Sequence, residues 1–211
     1  MSRTVRAQRT DGGWRLADEG LVEAVEVLKR GRLVVYPTDT LYGLAGDPYD
    51  PLAMERLYRA KRRPRGEPMA LVVADREQAR RVAVLSPVAE RLWAAHLPGP
   101  LTLLLPAGPE APMAPVVRDD VVGLRVPDHG VPRQLAREFG PFTATSANLH
   151  TLRPPRTAED ARRQLGDDVT LYVDAGPAPG GRASTVVDLT EEPPTVKREG
   201  AVSRAELGLD G

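Results

Sequence analysis

The apolar run Leu33-Val34-Val35 passes through Tyr36 and meets Pro37, and three small polar residues follow, Thr38-Asp39-Thr40. Proline has no N–H to give to a ladder, so a strand must release the chain into a turn there. Hydroxyls and one carboxylate are thus expected at a strand end. Asp50-Pro51 then reads as an N-cap with proline in the first turn, and Met54, Leu57 and Tyr58 mark one face of the helix it opens. Pro64 bars its continuation and leaves a basic last turn, Lys61-Arg62-Arg63-Pro64-Arg65.

Around this stretch, strand and helix patterns alternate. Leu21, Val25 and Leu28 predict a helix ending at Gly31, which feeds a strand over 33–36. Further strands are expected at 69–74, 101–105, 121–126, 142–146, 171–173, 184–189 and 195–198. Helices are expected from Asp75 to about 84, from Ser86-Pro87 to His96, over 131–139 closed by Gly140, from Thr157 to Leu165, and in a short capped turn from Ser203. Residues 106–119 carry four prolines and no periodicity, as a surface loop does. Residues 1–15 read as a flexible tail or an edge strand, 16–205 as one catalytic domain and 206–211 as a C-terminal tail. The mixture favours α/β or α+β over an all-parallel sheet.

Composition removes several function classes. Lys plus Arg and Asp plus Glu both number 29, so no global field attracts polyanions, and any such site must be local. There is no cysteine, and the three histidines lack zinc-ligand spacing. No apolar run approaches the roughly 20 residues of a membrane span, and the first residues lack a signal-peptide core, so a soluble cytoplasmic protein is expected.

Each candidate residue has a plain reading beside a chemical one. Lys61 and Arg63 suit a solvated helix end, yet a lysine point charge and an arginine fork two residues apart can also grip separate phosphate oxygens. None of the lysines Lys29, Lys61 and Lys197 follows glycine, so a Walker A loop is absent and side chains would have to hold phosphate. Thr38, Asp39 and Thr40 suit a turn that hydrogen-bonds its own backbone. Ser146-Ala147-Asn148 suits a turn or a helix cap, and Arg125 an ordinary exposed arginine.

Pro37-Thr38-Asp39-Thr40-Leu41-Tyr42-Gly43-Leu44, Lys61-Arg62-Arg63-Pro64, Pro98-Gly99-Pro100-Leu101-Thr102-Leu103, Leu124-Arg125-Val126-Pro127-Asp128-His129, Ser146-Ala147-Asn148 and Ser184-Thr185-Val186-Val187-Asp188 occur in that order. Together they resemble the YrdC family, the threonylcarbamoyl-adenylate synthases, over about 33–198. The resemblance implies a single-domain twisted mixed sheet with surrounding helices and a concave basic surface. It implies L-threonine, bicarbonate and ATP as substrates, Mg2+ accompanying ATP without an assigned protein ligand, and a product used to modify adenosine in tRNA. By the same resemblance Lys61, Arg63, Ser146 and Asn148 are catalytic and nucleotide-binding, with Arg198 also at the nucleotide. Thr38, Thr40, Arg125 and Ser184 bind threonine, with Arg125 at the carboxylate, while Asp39 and His129 are structural. Contact with tRNA and hand-over to separate threonylcarbamoyl-transfer proteins belong to the same picture. At 211 residues the chain matches the short form.

Two departures flank the proposed site. His150 and Thr151 stand where the family carries Ser-Gly, with Arg156 between Pro155 and Thr157, and His129-Gly130 stands for His-Pro. They leave open the conformation of these loops and the substrate preference. Two other readings stay on the table: an RNA-binding or regulatory paralogue that keeps the fold, and a carbamoyl transferase using another donor.

Overall fold

A computed structural model describes residues 1–113 and 116–209. Its strands are β1 (Arg3–Arg6), β2 (Gln8–Thr10), β3 (Gly13–Arg15), β4 (Val34–Tyr36), β5 (Gly43–Ala45), β6 (Ala70–Val72), β7 (Leu101–Pro106), β8 (Val121–Arg125), β9 (Phe142–Ser146), β10 (Leu171–Asp174), β11 (Thr185–Asp188) and β12 (Thr195–Arg198). The helices are α1 (Asp18–Lys29), α2 (Pro51–Lys61), α3 (Arg76–Val82), α4 (Pro87–His96), α5 (Gly130–Phe139), α6 (Ala158–Leu165) and α7 (Arg204–Leu207). Ten strands form one mixed sheet in the order β1-β10-β4-β5-β9-β6-β8-β7-β11-β12, while β2 and β3 make a separate hairpin. No described helix is long and apolar enough to cross a membrane.

The strand period of two sorts side chains between two cores. Leu33, Val35, Leu44, Leu71, Leu101, Leu103, Leu105, Val122, Leu124 and Val187 enter one apolar cluster, together with residues of α2, α3, α4, α6 and α7. Val34, Tyr36, Ala45, Val72, Phe142, Leu171 and Val173 point the other way, into a cluster closed by α1 and α5. That second cluster ends near the middle of the sheet. Beyond it the same face, carrying Ala70, Thr102, Leu104, Arg125, Ala144, Ser146 and Val186, lines a cavity instead. The site is thus the uncovered part of a face whose remainder is core.

Local chemistry explains the element limits. Asp50 caps α2 by accepting the Leu52 N–H, and Pro51 sits in its first turn. The helix stops at Lys61 because Arg62 turns left-handed (φ 49°), before the Pro64 barrier is reached. Thr157 caps α6 by accepting the Asp160 N–H, without a reciprocal side-chain bond that would make a capping box. Ser203 and Glu206 do complete one at α7. The strand expected at 69–74 narrows to Ala70–Val72, and β5 was not anticipated. Residues 114–115, in the expected loop, and 210–211, in the expected tail, lie outside the described residues.

Candidate active site

The cavity of about 360 Å³ is lined by the turn after β4, by Arg63, and by residues of β6, β7, β8, β9, β11 and β12. Its size lies in the range of small-ligand sites, at roughly 300–1,000 Å³. Of the nine residues expected in a site, Thr38, Thr40, Arg63, Arg125, Ser146, Ser184 and Arg198 line it; Lys61 and Asn148 do not.

Lys61 lies behind the wall. It is 2% exposed, and its Nζ donates to the backbone carbonyls of Ser146 and, at 2.9 Å, Asn148. Burial, assisted by the Arg63 charge, pulls its ammonium down to about 7. Asn148 is also buried; its Nδ2 donates to the carbonyls of Leu149 and Leu152 at 2.7 Å each, and its Oδ1 has no partner among the described residues. The end of β9 is therefore tied to the end of α2 through the Lys61 amine.

Arg63 faces the cavity. Its Nε donates to Glu67 Oε2 at 2.7 Å, one terminal nitrogen to Thr145 Oγ1 at 3.3 Å and the other to the Pro68 carbonyl at 3.0 Å. Thr145 and Glu67 went unrecognised in the sequence, where neither carries a local motif.

Thr38 sits at the heart of the β4–β5 turn. Its Oγ1 accepts the N–H groups of Thr40 and Leu41 at 3.1 Å each and donates to the Leu41 carbonyl at 2.6 Å. The turn reading thus holds, and the same hydroxyl also lines the cavity. Thr40 Oγ1 accepts from Arg125 at 2.9 Å, and the same Arg125 nitrogen donates to Asp39 Oδ1 at 2.5 Å. Burial raises the Asp39 carboxyl against the opposing pull of Arg125. Arg125 Nε and Asp39 Oδ2 are buried without partners among the described residues. Arg125 therefore keeps a donor in reserve.

On the far side, Arg198 on β12 donates to the Ser184 carbonyl at 2.9 Å and to its Oγ at 3.3 Å, and the Ser184 hydroxyl lies 2.9 Å from that of Thr102. Burial, and then the nearby Arg125, lower the Arg198 pKa. Two guanidiniums facing one cavity can seat an anion between them. Tyr36 closes the floor, and a Cβ on Gly43 would lie 2.5 Å from its ring, so only glycine lets β5 pass there. Among the described residues no group of three His, Cys, Asp or Glu side chains is placed to hold a metal ion.

The residues at the two sequence departures make local contacts. His150 donates its backbone N–H to the Lys61 carbonyl at 2.8 Å, and its Nε2 lies 3.8 Å from Glu67 Oε1. Arg156 accepts the Ala178 N–H at 2.7 Å through its carbonyl, knitting the 149–156 segment to the loop after β10. His129 Nδ1 accepts the Val131 N–H at the start of α5, and its ring stacks on Trp14. Burial lowers its pKa to about 4, so it serves as a neutral cap.

Comparison with known proteins places these features in company. The profile of the Sua5/YciO/YrdC family, described as "Telomere recombination", matches residues 26–200. A Mycobacterium tuberculosis protein provisionally named threonylcarbamoyl-AMP synthase is 41% identical over 196 residues, covering 90% of each chain. The crystal structure of Pyrococcus abyssi Sua5 complexed with L-threonine superposes with a TM-score of 0.87 at 31% identity; it covers 100% of this chain and 61% of that one. Escherichia coli YciO gives 0.84 at 28% identity, covering 98% and 100%.

Proposed function

The chain belongs to the Sua5/YciO/YrdC family, and from that premise we propose that it is a threonylcarbamoyl-AMP synthase. L-threonine, bicarbonate and ATP become L-threonylcarbamoyl-AMP, pyrophosphate and water, and the product supplies the threonylcarbamoyl group for tRNA. The observation that carries this reading is one cavity with cations on both flanks. Arg63 stands on the β9–β6 side, and Arg125 and Arg198 stand toward β12. Two anionic groups, a triphosphate and an amino-acid carboxylate, are what such a cavity can hold side by side.

The threonine amine attacks the bicarbonate carbon, and loss of water gives a carbamate. A carbamate oxygen then attacks the α-phosphorus, and the bond to the β-phosphate oxygen breaks with departure of pyrophosphate. No side chain needs to become covalently attached, so catalysis rests on positioning and on charge stabilisation. Arg198, expected at the nucleotide, bonds Ser184 and so joins Arg125 in holding the threonine carboxylate, beside the hydroxyls of Thr40 and Ser184. Arg63 and the Ser146 hydroxyl bear on the phosphates, while Lys61 and Asn148 act from behind by fixing the end of β9. A Mg2+ ion accompanying ATP would supply further charge stabilisation to the phosphates. Among the described residues the cavity lining includes no carboxylate to hold it; Asp39 and Glu67, outside the lining, are engaged by Arg125 and Arg63.

Three arginines around so small a cavity do not make a broad polyanion surface, and a chain of balanced charge lacks the many phosphate contacts that nucleic-acid affinity requires. Contact with tRNA is therefore secondary to the chemistry, with separate transfer proteins receiving the product. The deciding experiment is pyrophosphate release from ATP and magnesium, with and without L-threonine and bicarbonate. Release that requires both co-substrates and is lost in Arg63→Ala supports the synthase. Folded protein that releases none under any condition overturns it.

A further inference from the structure

Arg63 is expected to meet the phosphates; its main chain is still tied to α2, the N–H donating to the Tyr58 carbonyl at 3.0 Å, but no side chain of that helix bonds its guanidinium. What holds it is the loop that follows. Gly66 turns the chain with φ at 86°, and Tyr58, on the buried face of α2, donates its hydroxyl to the Glu67 carbonyl at 2.6 Å. The main chain at Glu67 is thereby pinned to the core, and its carboxylate returns to Arg63 Nε at 2.7 Å. The Pro68 carbonyl takes a further N–H, and Thr145 a third. A guanidinium has five N–H groups, so two remain for a ligand in the cavity.

We propose that Glu67 is the positioning residue for Arg63, holding one edge of the guanidinium so that its free N–H groups face the triphosphate. The proposal rests on the reading that this cavity binds ATP. The competing role for a carboxylate here is that of a resident anion which the triphosphate must displace. Geometry favours positioning. Glu67 takes Nε, at the side-chain end of the fork, and leaves both terminal nitrogens free of carboxylate. His150 Nε2, 3.8 Å from the other Glu67 oxygen, is beyond hydrogen-bond length.

The test is ATP affinity of Glu67→Ala and Glu67→Gln, measured directly by calorimetry, with pyrophosphate release followed alongside. Glu67 is over a third exposed, so neither change threatens folding, which thermal melting verifies. Glu67→Ala is expected to weaken ATP about tenfold, and Glu67→Gln, whose amide oxygen still accepts the Nε–H, to stay within about threefold of the parent. The KM for threonine should not move in either variant. Tighter ATP binding in both variants marks a displaced anion and overturns the proposal, as does unchanged affinity in Glu67→Ala. If the parent binds no ATP, the cavity reading fails by itself. The Arg63 Nε–H resonance then decides the Glu67 role: protection from exchange that is lost in Glu67→Ala supports the clamp, and equal exchange in both proteins overturns it.

Discussion

The Lys61 Nζ lies 2.9 Å from the Asn148 carbonyl oxygen and also donates to that of Ser146. A neutral lysine amine has two N–H groups, and two carbonyls await them. The ammonium offers a third that this pocket does not need, at the expense of burying a charge, and the pKa falls to about 7 from 10.5.

Stability should therefore depend on pH in a definite direction. Between about 7 and 10.5 the unfolded chain binds a proton at Lys61 that the folded chain does not, so stability rises with pH through that window. Below about 7 the desolvation penalty is fully present. Lys61→Met lacks the titrating group, and in urea unfolding the advantage of the parent over the variant should grow by roughly 1 kcal/mol per pH unit from 7 to 9. A constant gap across that range would refute the burial argument.

Binding of ATP should reverse the shift. Phosphate charge near the end of β9 favours the ammonium, so at pH 8 a proton must be taken up as ATP binds. Calorimetry in buffers of different ionisation enthalpy should read on the order of one proton at pH 8, little at pH 6, and none at either pH in Lys61→Met. Uptake that persists in Lys61→Met would assign the proton to another group.

Arg125 spends one terminal nitrogen on Asp39 and Thr40 and keeps a buried Nε without a partner among the described residues. A ligand carboxylate would satisfy it. Lysine at this position keeps the charge but loses the fork, so Arg125→Lys should raise the KM for threonine about 10- to 100-fold with little change in the KM for ATP. Steady-state kinetics with each substrate varied in turn separates the two. An equal rise in both would place Arg125 at the nucleotide instead.

What was legible in the sequence was what local chemistry specifies. Asp50-Pro51, Ser86-Pro87, Thr157 and Ser203 each carry their own stop or start signal, and each caps a helix. Strand β5 has none. Gly43-Leu44-Ala45 is a strand only because β4 and β9 flank it, and it was missed. The same division runs through the site. Motif residues such as Arg125 and Ser184 come to one cavity, but the burial of Lys61 and the clamp of Glu67 on Arg63 depend on contacts that no sequence spacing reports. Asp39, expected to be structural, is the ion partner of Arg125, another contact that no spacing reports.

Gly130 supplies the last prediction. A Cβ there would lie 1.9 Å from the Trp14 carbonyl oxygen, and that atom is backbone, which cannot swing aside. The hairpin β2–β3 leads into this contact, Trp14 stacks on His129, and Leu16 exchanges hydrogen bonds with Gln134 on α5. The glycine that replaces the usual proline thus belongs to a docking seat for the N-terminal segment. None of Trp14, His129 and Gly130 lines the cavity. Gly130→Ala should destabilise the protein by roughly 1–3 kcal/mol, the cost of overpacking a close contact, while the rate of pyrophosphate release stays within about twofold. Chemical unfolding followed by tryptophan fluorescence measures the first and the turnover assay the second. A loss of turnover at unchanged stability would mean that the departure at 130 acts on substrate choice rather than on the seating of the hairpin.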